Sequence, residues 1–143
     1  MKAQRLIIWL VAAFFAAGSC NAALMESPKQ LVGRYDKPFR VDVGGSVQLF
    51  RTRTFTINVN FIDRKSRSET YIPRVRRLLT QREIDSFLQL NSFGSTWLPA
   101  PDQGGWRLKS GQAIARLSGL DMPWPNLKII TSDYESWPSH PKT

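Results

Sequence analysis

The run at residues 53–61 (RTFTINVNF) constrains the fold more than any other stretch. Phe55, Ile57, Val59 and Phe61 alternate with Thr54, Thr56, Asn58 and Asn60. A period of two in β-branched and aromatic residues predicts a half-buried antiparallel strand, with one apolar face and one face of hydroxyls and amides. Such a strand needs neighbours. Phe39, Val41 and Val43 alternate with Arg40 and Asp42, which predicts a short strand. Gly44-Gly45 then marks a turn, and residues 46–51 lead into the long strand. Residues 63–70 (DRKSRSET) read as a charged loop, and 71–76 as a short edge strand interrupted by Pro73.

One good helix follows. Thr80 and Glu83 have capping-box spacing, and Ile84, Phe87 and Leu88 form an apolar stripe, so the helix is expected at about 81–91. The rest is rich in turns. Strands are expected at 95–98, 106–109, 112–117 and 127–131, with Ser110-Gly111 as a hairpin turn. The order predicts an α+β fold: a small twisted antiparallel sheet with one amphipathic helix packed on it. A chain of 143 residues is one domain's worth, expected here at 39–137, with a tail at 138–143.

The N-terminus reads as an address. Lys2 and Arg5 precede twelve apolar residues at 6–17, then Gly18, Ser19 and Cys20. A short basic head, a 7–15-residue apolar run and small residues make a secretory signal, assigned to 1–19. The apolar run is short for a membrane span, which needs about 20 residues. Ala17-Gly18-Ser19-Cys20 resembles the lipobox of bacterial lipoproteins, with Ala17 where that family usually has Leu. The resemblance covers the first twenty residues and implies acylation of Cys20. Diacylation of its thiol and acylation of its amine would give three chains, enough to hold a protein on a membrane. Asn21 is not the Asp that favours inner-membrane retention in such lipoproteins, which implies an outer-membrane destination. Cys20 is the chain's one cysteine; acylation would account for it, and no internal disulfide or Cys-rich zinc site can form. The alternative is cleavage after Ala22 or Ala23 and a soluble periplasmic or secreted protein. Residues 20–38 carry Ser27-Pro28, Gly33 and Lys37-Pro38 without periodicity, and read as a flexible tether.

Charge is uneven. Residues 34–82 hold 12 Lys or Arg and 4 acids, net +8, whereas 83–143 hold 5 and 6, net −1. Arg51, Arg53, Arg64, Lys65, Arg67, Arg74, Arg76 and Arg77 form the candidate surface for an anionic partner. Arginine dominates the set, and guanidinium binds carboxylate and phosphate bidentately. With an export signal, nucleic acid is not the expected partner; an anionic envelope component or an acidic protein is. The bland reading is a solvated face. Four tryptophans crowd the C-terminal third. Trp97 and Trp106 lie in expected strands and read as core, while Trp124 and Trp137, beside prolines, could stack on a ligand.

Catalytic and cofactor chemistry finds no foothold. His140 is the sole histidine and lies in the tail. Glu83 is absorbed by the cap and sits two residues from Asp85, so the pair does not share a helix face. Asp102, Asp133 and Glu135 have no sequence reason to converge. Lys109-Ser110 lies in a turn, and no P-loop, dinucleotide, zincin or EF-hand spacing occurs. The expectation is an exported binding or structural module, an accessory factor or an inhibitor (immunity) protein, with no metal, cofactor or catalytic residue. The alternative is a soluble effector or enzyme with an unrecognised site.

Overall fold

The computed structural model describes residues 23–121 and 124–135. Cys20, Trp137 and the 138–143 tail lie outside the described residues. Eight strands form one sheet: β1 (Arg40–Val41), β2 (Val47–Arg51), β3 (Phe55–Ile62), β4 (Lys65–Pro73), β5 (Trp97–Ala100), β6 (Gly105–Leu108), β7 (Ala113–Ser118) and β8 (Asn126–Thr131). The helices are α1 (Pro28–Tyr35), α2 (Gln81–Leu90) and the single turn α3 (Ser132–Glu135). Strand order is β1-β2-β3-β4-β8-β7-β6-β5, with every neighbouring pair antiparallel. Two four-stranded meanders therefore meet at the β4·β8 seam. The class is mixed α+β, but the sheet is large rather than small, and α2 is not the only helix.

The long alternating run behaves as its pattern dictates. Phe55, Ile57, Val59 and Phe61 are buried, and the four residues between and after them are half-buried. Thr80 and Glu83 close the cap at the start of α2, whose buried Ile84 and Leu88 face the sheet. Phe87 stacks on Tyr71 at 3.9 Å and meets Phe55 edge-on at 5.0 Å, which docks the helix on β3 and β4.

Three expectations are corrected. Residues 63–70 are not a loop. A two-residue turn at Asp63 and Arg64, both at positive φ, leads straight into the nine residues of β4. Nor is the segment with Pro73 an edge strand, since β4 lies at the centre between β3 and β8. Pro73 is tolerated because it ends the strand. The expected tether is packed structure from Ala23 to Tyr35. Ala23 and Leu24 are buried, Met25 N–H donates to the Ser66 carbonyl, and Ser66 N–H donates to that of Glu26. Ser27 and Gln30 form a capping box for α1, which buries Leu31 in the core.

The registers define two ends of the sheet. The near end holds the 42–46 turn, the Asp63-Arg64 turn, the incoming residues 23–26 and α3. The far end holds residues 52–54, 74–78, 119–121 and 124–125. The eight residues of β3 separate the ends by about 26 Å.

Candidate functional site

The fold divides the predicted basic set. Arg51, Arg53, Arg74 and Arg76 lie at the far end. Arg74 N–H donates to the Thr54 carbonyl, and its Nη1 reaches the carbonyls of Thr52 and Arg53 at 3.2 and 3.3 Å, which fixes it against the β2–β3 turn. The Arg51 guanidinium lies 4.3 Å from the centre of the Phe39 ring. Arg53, Arg74 and Arg76 are exposed.

The other four basic residues do not join that group. Arg64 and Lys65 sit at the near end. Arg67 occupies a bulge in β4 and pairs with Asp133 at 2.6 Å. Arg77 bonds both Glu83 oxygens at 2.7 and 2.8 Å, and Glu83 also accepts the Thr80 N–H. Those Arg77 bonds hold the Glu83 carboxyl down at about 2. Arg77 therefore braces the start of α2.

The sheet adds cations that sequence reasoning left out. Leu49, Asn58, Thr70, Lys128 and Arg116 follow one another across the face opposite the helices, and Arg40 pairs with Leu49 on that face. Arg51 and Arg107 project from the same side. Of all residues in the eight strands, Glu69 alone carries a carboxylate, and it lies on the core side. The outer face therefore carries cations on the strands flanking β3 and β4, and Arg51 joins it to the far end.

Exposed apolar side chains accompany these cations. Trp124 is 50% exposed, and Val75, Leu78 and Leu120 are each more than 60% exposed. Single exposed apolar residues need no explanation, but here four stand on the loops of one end of the sheet, the end that also holds four arginines. Periodicity could not reveal them, because they fall in irregular connections. The only signals were the alternation in residues 74–79 (RVRRLL) and the Pro-flanked Trp124. Trp97 and Trp106, expected in the core, are half-buried on its margin.

A second constellation is internal. Glu69 is fully buried. Its Oε2 accepts hydrogen bonds from the Tyr71 hydroxyl at 2.5 Å and the Tyr35 hydroxyl at 3.2 Å. Asn91 Nδ2 donates to the Tyr71 oxygen at 3.1 Å, and Asn91 Oδ1 accepts the Leu24 N–H at 2.9 Å. The other Glu69 oxygen has no partner among the described residues. Desolvation outweighs the two hydroxyls and pushes the Glu69 carboxyl up to about 7. Burial also raises both tyrosines. The network ties β4 to α1, to the end of α2 and to the entering chain.

Among the described residues, no group of three His, Cys, Asp or Glu could hold a metal ion, and no helix is long and apolar enough to cross a membrane. Compared with family models, with curated proteins and with solved structures, the chain finds no match.

Proposed function

We propose that this chain is an exported envelope protein, anchored through Cys20, that binds an acidic or otherwise anionic partner with its far end. One observation carries the reading: the fold gathers exposed arginines and exposed apolar side chains at the end away from the incoming N-terminus. Tryptophan and arginine are the residues that most often anchor protein interfaces, and surrounding cations select an acidic surface.

The entry path supports the anchor. Two residues separate Cys20 from the buried Ala23, a reach of about 10 Å. An acyl group there would hold the near end at the bilayer and turn the far end outward. The same packing disfavours cleavage after Ala23. That cut would place an ammonium group at the Leu24 nitrogen, in a buried contact with a neutral amide. The role that fits is an accessory or inhibitory module that meets its target by the far end; the soluble alternative would use the same surface unanchored.

In cells, a photo-crosslinker at position 76 or 78 should capture a discrete partner, and one at position 64 should not. Globomycin should cause the precursor to accumulate. Capture from position 64 alone would refute the far-end reading, and normal processing of Cys20→Ser would refute the anchor.

A further inference from the structure

The far end is not the only surface shaped for a ligand. A cleft of about 320 Å³ lies between α2 and the β5–β6 hairpin. Its floor is aromatic. Pro99 faces Trp106 across the hairpin and Trp97 faces Leu108, so Trp97 and Trp106 are diagonal neighbours on one side of the sheet. Both residues are half-buried, so part of each side chain stays accessible in the cleft. The Trp97 indole N–H donates to the Leu88 carbonyl at 2.6 Å and so locks that ring against α2.

The rim is polar and carries no cation. Asp85 and Gln89 stand one turn apart on α2, and Thr96 closes the other side. Gln81 Nε2 donates to Asp85 Oδ1 at 2.7 Å and steadies the carboxylate. Because β5 is an edge strand, a polymer could run past the cleft without meeting another strand.

We propose that this cleft binds a neutral oligosaccharide of pyranose rings. A pyranose offers an apolar C–H face, which stacks on an indole, and a ring of hydroxyls that donate to a carboxylate and exchange bonds with an amide. The cleft presents both requirements side by side on rigid elements, which lowers the ordering cost of binding. An anionic ligand does not suit it, since its nearest formal charge is Asp85. The site is thus chemically distinct from the far end and does not depend on that reading.

The test is a titration with N-acetylchitotetraose, read by indole and amide NMR signals. The Trp97 and Trp106 resonances should shift. Trp106→Ala should weaken binding at least about tenfold and Trp106→Phe should recover most of it, while the exposed Asp85→Ala should cost several-fold. Trp124→Ala, at the far end, should bind as the parent does. If Trp106→Ala loses its fold, Asp85→Ala and the mapped shifts of the parent still decide. The proposal is overturned if millimolar sugar leaves both indoles unmoved, or if Trp124→Ala abolishes binding and Asp85→Ala does not.

Discussion

The two ends of the sheet treat charge and apolar surface differently. At the near end the arriving chain packs into the core, Glu26 pairs with Arg34 at 2.5 Å, Arg67 pairs with Asp133, and Asp42 caps its own turn. Its exposed apolar residues are Met25 and Val43. At the far end Arg53, Arg74 and Arg76 are exposed, Arg77 is paired, and Val75, Leu78, Leu120 and Trp124 stand out into solvent. The near end ties most of its charges into pairs and caps, with Asp63, Arg64 and Lys65 left exposed, whereas the far end combines exposed arginines with four exposed apolar side chains. Substitutions at the near end should therefore move stability and leave binding alone, with the converse at the far end.

The largest expected effect is at the near end. Leu24→Ala should cost about 2–4 kcal/mol in denaturant unfolding, because it empties a buried site. A true tether would tolerate it without loss.

Glu69→Gln sharpens the same contrast from inside. The folded carboxyl titrates at about 7, above its ordinary 4.5. The ionised form is therefore disfavoured in the fold. Through this group the parent should gain stability as pH falls from about 8 to about 4.5; below that, protonation of the lowered Glu83 carboxyl reverses the trend. Glu69→Gln should remove that slope and stabilise the protein at pH 8 by on the order of 2 kcal/mol. A pH-independent parent would show that the carboxylate is not isolated as described.

Thr80→Ala removes the hydroxyl that caps α2 and should cost about 1 kcal/mol in thermal unfolding. Arg64→Gly relieves a positive φ in the β3–β4 turn and should stabilise by about 1 kcal/mol while leaving partner capture unchanged. The smallest stability effect is at the far end. Leu78→Ser with Trp124→Ser should move stability by less than about 0.5 kcal/mol yet sharply reduce capture of the partner.

How far each region could be read from sequence follows from its physics. The β3 strand and α2 were legible because each carries an uninterrupted period and α2 a capping box. The β4 strand was not. The bulge at Arg67 shifts its alternation by one residue, so its core positions run Ser66, Glu69, Tyr71 and Pro73, with Tyr71 the one large apolar ring. The α1 helix was hidden by Pro28 and Gly33, although Pro suits a first helical turn and Ser27 caps it. The basic set was legible as a list but not as a surface. Register alone separates Arg53 and Arg74 from Arg64 and Lys65 and brings residues near 75 toward the end that holds Trp124.

The far end, as the proposed binding surface, is open to a direct test. The direct measurement is retention on immobilised poly-glutamate at moderate salt, compared across two charge-reversed proteins. Arg53→Glu with Arg74→Glu and Arg76→Glu should abolish retention, whereas Arg64→Glu with Lys65→Glu should elute close to the parent. Equal losses in the two proteins would reduce the far end to a share of a diffuse positive charge. Loss confined to the near-end variant would contradict the account.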